Sequence, residues 1–253
     1  MPPDTPPMKS IQRAFEIVHI LWELRGAGPS EIATQLDLSK STAHVYLRSL
    51  QSTGYVVNHD GKYRLSYGFL TMGSRLKYRS RIFQVSKSEM RNLAQETGEL
   101  VTLLIEESGK SVILHQEAGE QSLELGLYPG MTIPLHSHAS GKLFFVHMPQ
   151  DRLDEIIERH GLAQITEFTI TDRDSLLAEL EQIRENGYAF DWDQQVKGMG
   201  LIALPIIVDG ELEAVLAVAC PTGRIKDDSY REELLRELQG TVDTITIKYQ
   251  YGT

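Results

Sequence analysis

The stretch from residue 30 to residue 66 limits the possible folds of this chain more than any other. A short helical run built on Ile32, Ala33 and Leu36 is followed, after Asp37-Leu38-Ser39, by a second run from Lys40 to Thr53. Apolar residues recur in both at the spacing of an amphipathic helix. Ser30 can cap the first run and Ser39 the second, and Gly54 is a natural stop. Residues 55–59 and 62–66 read as strands on either side of Asp60-Gly61. That dipeptide tolerates the positive φ angles of a two-residue hairpin. Helix, tight turn, helix and hairpin in series spell a winged helix-turn-helix.

Projected at helical pitch, Ala43, Leu47 and Leu50 share the inward face of the second helix, with Tyr46 at its margin. Ser41, Val45, Arg48 and Ser52 lie opposite, flanked by Lys40 and His44. No acidic residue occurs from Lys40 to Ser52. A face of short polar residues with one arginine lets a helix approach a major groove closely, where acidic groups would meet phosphate repulsion. An ordinary amphipathic helix with a solvated face is the competing reading. In the hairpin, Lys62 and Arg64 alternate with Tyr63 and Leu65, which places a basic pair where sugar–phosphate contacts form. The DNA-binding candidates are therefore Ser39, Lys40, Ser41, Thr42, His44, Val45, Arg48, Lys62 and Arg64.

Charge is unevenly distributed. The 253-residue chain carries a net −10, yet residues 1–83 sum to +5 and the remainder to −15. A basic head on an acidic body suits a small polyanion-binding module joined to something that avoids polyanions. The length itself favours two domains. No apolar run reaches the roughly 18 residues of a membrane helix. Residues 1–7, rich in proline, lack the apolar core of a signal peptide. Cys220, the single cysteine, excludes an internal disulfide framework and a Cys-rich zinc module. A cytoplasmic protein with no cofactor is expected.

Residues 9–25 read as a helix with an apolar stripe of Ile11, Phe15, Val18 and Trp22, widened by Ala14, Ile17, Leu21 and Leu24. Residues 69–83 read as a linker helix bearing Arg75, Lys77, Arg79 and Arg81. Beyond it, helices are predicted over 84–98, 139–148, 151–160, 172–186 and 228–248. Strands are predicted over 100–106, 111–116, 122–127, 188–192, 201–208 and 211–219. Hairpins outnumber strand–helix alternations, so the second domain should be an antiparallel sheet with helices packed on it. The organisation is then a DNA-binding domain at 9–68, a linker at 69–83 and a second domain at 84–253, an α+β chain overall.

Lys9-Ser10-Ile11-Gln12-Arg13-Ala14, Glu31-Ile32-Ala33, Leu38-Ser39-Lys40-Ser41-Thr42-Ala43-His44, Gly54-Tyr55-Val56 and Tyr63-Arg64-Leu65 resemble the DNA-binding half of isocitrate-lyase-regulator (IclR) family transcription factors. Glu96-Thr97-Gly98-Glu99, Pro134-Leu135-His136, Gly141-Lys142, Gly187-Tyr188-Ala189-Phe190-Asp191 and Gly198-Met199-Gly200-Leu201 resemble the second half in order and spacing. The resemblance runs from about Lys9 to about Tyr249. It implies a GAF-like effector domain that senses a small molecule, and a homodimer or dimer of dimers on a palindromic operator. It also implies an effector site built from His136, Ala139, Ser140, Asp191, Met199, Leu201, Ala217 and Ala219. Val45 departs from the family, where arginine is common, so operator preference does not transfer. Ala217, Ala219 and Leu201 stand where a carboxylate-binding relative supplies hydroxyls and a thiol. Each lost hydrogen bond to a charged ligand is worth roughly 1.5–3 kcal/mol. The expected effector is therefore larger or more apolar than a small 2-oxo acid, such as a larger organic acid or an aromatic or sugar-derived metabolite.

Other chemistries remain open at this level. His136, His138, Asp191 and Cys220 are metal-ligand types that could converge. A domain that has lost its ligand and serves as a protein-interaction module is a further alternative. An enzyme has little support, because the chain holds no Gly-x-Ser-x-Gly elbow, phosphate loop or His-Glu-x-x-His motif.

Overall fold

The computed structural model describes residues 8–252, so the proline-rich leader lies outside the described residues. The chain divides into two compact units between Leu76 and Lys77.

In the first unit, α1 (Lys9–Glu23), α2 (Pro29–Leu36) and α3 (Lys40–Ser52) precede a hairpin of β1 (Val56–His59) and β2 (Lys62–Leu65). Ile17, Leu21, Ile32, Ala33, Ala43, Leu47, Val56 and Tyr63 form its core. Asp60 and Gly61 both take positive φ, 52° and 83°, which closes the two-residue turn. Tyr63 exchanges two backbone hydrogen bonds with Ala27, at 2.9 and 3.0 Å, so the hairpin is sewn to the segment after α1. Two local expectations change. The first turn of α2 begins at Pro29, and the Glu31 carboxylate accepts from the Gly28 amide at 2.7 Å, so Ser30 is not the cap. On α1 the buried residues are Ile17 and Leu21, whereas Ile11, Phe15 and Trp22 of the expected stripe are exposed. The helix is apolar on two sides, and the side of Ile17 and Leu21 meets the core.

α4 (Gly68–Arg79) buries none of its residues. The single helix expected over 69–83 is broken at Ser80, whose hydroxyl accepts from the Phe83 amide and starts α5 (Arg81–Thr97). Ile82 and Phe83 are buried in the second unit, and their burial dictates the break.

The second unit is a six-stranded antiparallel sheet in the order β5-β4-β3-β8-β7-β6. Its strands are β3 (Leu100–Glu107), β4 (Lys110–Ala118), β5 (Thr132–Pro134), β6 (Ala189–Trp192), β7 (Met199–Val208) and β8 (Glu211–Pro221). One 3-10 turn, Leu135–Ser137, leads into α6 (Ala139–His147), followed by α7 (Gln150–His160), α8 (Arg173–Asn186), α9 (Thr222–Ile225) and α10 (Asp228–Tyr251). Strand alternation splits the core in two. Leu104, Leu201, Ala217 and Ala219 face α6 and α8. Leu103, Ile202, Leu216, Val218 and Cys220 face α5 and α10. Residues 122–127 are not a strand. Leu123, Leu125 and Leu127 do pack on the core, but Gly126 turns to a φ of 66° and the run has no ladder partner among the described residues. The edge strand β5 takes its place.

Candidate DNA-reading helix and effector cavity

The outer face of α3 is built by what its inner face buries. Ala43 and Leu47 are fully buried, which leaves Lys40, Ser41, Thr42, His44, Val45 and Arg48 exposed. Ser39 is the N-cap: its Oγ accepts from the Thr42 amide at 3.1 Å and lies 2.8 Å from Ser41 Oγ and 2.7 Å from Thr42 Oγ1. These three hydroxyls form one cluster at the tip of the helix. The Ser66 hydroxyl donates to the Gly54 carbonyl at 2.6 Å, and Tyr55 packs on Phe69 with centroids 5.0 Å apart. Both contacts fix the hairpin to the end of α3. The pairing His59↔Lys62 and Val57↔Arg64 puts these four side chains on one face of the hairpin, since directly paired residues point the same way. His59 therefore joins Lys62 and Arg64 as a surface candidate. Counting back from the Asp60-Gly61 turn would have found it. Arg64 also has a packing role, because a Cβ on Gly26 would stand 2.7 Å from its Cγ.

In the second unit a small cavity of about 20 Å³, on the scale of a single water, opens on the α6 side of the sheet. Of the expected effector residues, Ser140, Met199, Leu201 and Ala219 line it. Thr102, Leu104, Ile113, Leu127, Ile133, His138 and Gln195 complete the wall. Sequence reading missed most of these, because only the sheet order brings β3, β4 and β5 beside β7 and β8. Among the described residues, no lysine or arginine lines the cavity. Ser140 Oγ is buried without a partner, which leaves a hydroxyl free to donate or accept.

Four expected effector residues are placed otherwise. His136 gives its Nε2 to the Ala163 carbonyl at 2.9 Å. Ala217 is buried in the core outside the lining. The Ala139 amide, expected to hold a ligand acid, donates instead to Asp191 Oδ2. Asp191 thus caps α6 with the protein's own carboxylate, as a helix N-terminus favours. Burial pushes the Asp191 carboxyl up to about 7, against the opposing pull of Lys142 and the Ala139 amide. Its Oδ1 is buried and unpartnered. The Lys142 ammonium, fully buried, is held by Glu179 at 2.5 Å and Gln194 at 2.6 Å.

The expected metal grouping does not assemble. Cys220 projects to the α5–α10 face, whereas Asp191, beside Leu201, and His138 in the cavity wall belong to the α6 side. Strand alternation separates them, and burial pushes the Cys220 thiol up to about 12, with Glu99 adding to it. His138 Nε2 lies 3.1 Å from Ser111 Oγ, and burial, followed by Lys142 and His136, drives its imidazole down to about 3. Among the described residues, no group of three or more His, Cys, Asp and Glu side chains is arranged to hold a metal.

The two units define the class: a winged helix-turn-helix coupled to a ligand-pocket domain. Residues 10–60 match the description "IclR helix-turn-helix domain", and residues 76–247 match "Bacterial transcriptional regulator IclR C-terminal". The chain belongs to the IclR family of bacterial transcriptional regulators. It is 26% identical over 248 residues to the probable HTH-type transcriptional regulator ArcR of Halobacterium salinarum, covering 95% of this chain and 94% of that one. It superposes on the Thermotoga maritima IclR with a TM-score of 0.78 and 28% identity, covering 97% and 100% of the two chains. It shares the fold, with a TM-score of 0.75 and 21% identity over 89% and 92% of the chains, of an IclR homolog from Microbacterium hydrocarbonoxydans complexed with 4-hydroxybenzoate. Among the described residues, no helix is long and apolar enough to cross a membrane.

Proposed function

We propose that the protein binds a palindromic operator through α3 and the hairpin, and adjusts that binding to a metabolite held in the cavity, so as to control a metabolic operon. The observation that carries this reading is the exposed, acid-free face of α3 beside a hairpin bearing Lys62 and Arg64. Ser41, Thr42, His44, Val45 and Arg48 face the groove, with Ser39 ordering the hydroxyls. Lys40, Lys62 and Arg64 meet phosphates. Mapping the genomic sites bound by the native chain and by Arg48→Ala tests it; unchanged site occupancy by the variant would overturn the assignment of α3.

The effector is an organic acid, aromatic or sugar-derived metabolite, larger or more apolar than a small 2-oxo acid. What supports this is the lining, mostly apolar with a free Ser140 hydroxyl and, among the described residues, no cation; at about 20 Å³ the cavity has to widen to admit such a molecule. Calorimetry should show 4-hydroxybenzoate binding more tightly than glyoxylate or pyruvate, and the reverse order would refute the reading. No turnover is assigned: Cys220 and the cavity histidine lie on opposite faces of the sheet. The protein acts in the cytoplasm as a homodimer or dimer of dimers. Ile11, Phe15 and Trp22 on α1 and Leu70, Met72 and Leu76 on α4 are left uncovered, as a second copy of the chain would require.

A further inference from the structure

The β3–β4 ladder contains a register shift beside the cavity. Leu104 pairs with Ile113, but Leu103 pairs with His115, so Leu114 has no opposite number. A regular strand that points Ile113 into the cavity would point His115 there too, because side chains alternate with a period of two. The extra residue reverses that parity. His115 is thereby delivered to the α5 face, and Gln116, opposite the cavity residue Thr102, to the cavity face. Gln116 Nε2 donates to the carbonyl of Leu127, another cavity residue, at 2.9 Å.

On the α5 face His115 meets the end of α4. Lys77 Nζ donates to His115 Nδ1 at 2.9 Å, and His115 Nε2 lies 3.0 Å from Glu117 Oε1. An ammonium can only donate, so Nδ1 carries the lone pair and Nε2 the proton given to Glu117. Phe83 on α5 packs edge-on against the imidazole, centroids 5.0 Å apart, with Lys77 Nζ 4.5 Å from its ring centroid. Arg91 of α5 stands 3.6 Å from Glu117. The charged groups around His115 are therefore Lys77, Glu117 and Arg91.

We propose that His115 is the positioning residue that ties the last turn of α4 to the cavity wall, and that only its neutral ring can do so. The proposal rests on the reading of the chain as a ligand-responsive regulator. It adds the route by which the cavity is felt at the linker: a change in the wall at Thr102 or Ile113 moves the irregularity in β4, and the irregularity moves the partner of Lys77. Protonating His115 would remove the only acceptor it offers Lys77 and set two cations face to face. Burial already holds the His115 imidazole below its ordinary range, with Glu117 opposing and Lys77 and Arg91 assisting. Burial likewise lowers the Lys77 ammonium, with Glu117 opposing.

The test uses the full chain without DNA or ligand, so its failure is distinguishable from a failure of the operator reading. Histidine ring resonances and amide exchange protection of residues 77–79 are followed from about pH 8 down through the titration of His115. The native ring should carry its proton on Nε2, and protection of these amides should fall about tenfold as the ring titrates. Lys77→Met should raise the ring titration and abolish the pH dependence of the protection. His115→Gln, which keeps an acceptor and a donor, should retain protection without pH dependence. Ile113→Ala, a change in the cavity wall, should shift the His115 ring signals and lower the same protection. Protection that ignores the titration in the native chain would overturn the tie, and His115 signals indifferent to Ile113→Ala would overturn its link to the cavity.

Discussion

Arg48 is exposed on α3, one turn beyond His44 and on the side away from Ala43 and Leu47. If it makes a bidentate contact with a base edge, Arg48→Ala should lose about 1–3 kcal/mol of specific binding and relax discrimination at that base pair. Competition titrations with single-base operator variants measure both effects. Lys62→Ala should instead weaken all duplexes alike and reduce the slope of log K against log salt by about 0.9, the signature of one lost phosphate contact. Side chains such as Arg48 could be placed from sequence because helical periodicity is local. His59 follows from the register that the Asp60-Gly61 turn fixes locally, whereas Thr102, Ile113 and Gln195 depend on which strands become neighbours. Asp191 was legible as a polar anchor, but not as the cap of α6. Its partner, the Ala139 amide, lies far away along the chain.

Asp191 and His138 also make opposing contributions to acid stability. Asp191 is raised to about 7, so the folded chain holds a proton the unfolded chain releases, and this contribution is lost as pH rises through that value. His138 is depressed to about 3, so its contribution is present above the ordinary value of 6.5 and is lost as pH falls towards 3. Over the intervening range the two offset each other. Asp191→Asn removes the compensation and should make stability fall more steeply on acidification, by up to about 1.4 kcal/mol per pH unit relative to the native chain. Urea unfolding at about pH 7 and about pH 5 measures this difference.

At the scale of elements, close approach decides what packing allows. Gly141 sits in the first turn of α6, where a Cβ would stand 2.1 Å from the Leu135 carbonyl oxygen. Gly141→Ala must therefore push α6 off the 3-10 turn that precedes it. A loss of about 1–3 kcal/mol is expected, as for other overpacked sites, together with a weaker cavity ligand response. Thermal unfolding and calorimetry with 4-hydroxybenzoate would detect the two effects. Most helices and strands were legible, since their caps and periodicities are written in adjacent residues. The exceptions share a cause. Ser80 could have been an ordinary helical serine until Ile82 and Phe83 were buried in the second unit. Residues 122–127 alternate like a strand, but only a neighbouring backbone makes alternation into a ladder, and none is available there. On α1, two apolar sides compete, and periodicity does not say which will face the core.

At the scale of the whole molecule, the basic amino-terminal segment and the acidic remainder keep polyanion attraction and ligand sensing on different parts of the chain. The uncovered apolar sides of α1 and α4 lead to a prediction about assembly. Phe15→Glu should reduce the proposed dimer or dimer of dimers to smaller species and weaken operator binding, because a palindrome is read by two heads at once. Sedimentation with and without a duplex gives both numbers; an unchanged mass would remove α1 from the interface.

Sequence alone determined the winged head, the antiparallel character of the second unit and the face of α3 that lies free. Each follows from interactions between residues a few positions apart, where propensity, capping and turn chemistry agree. Only the tertiary structure decided the walls of the cavity, the occupation of the α6 N-terminus by Asp191, the exile of Cys220 to the far side of the sheet and the meeting of Lys77 with His115. Those depend on strand order and on a one-residue irregularity in register, and both are settled by the simultaneous packing of distant segments.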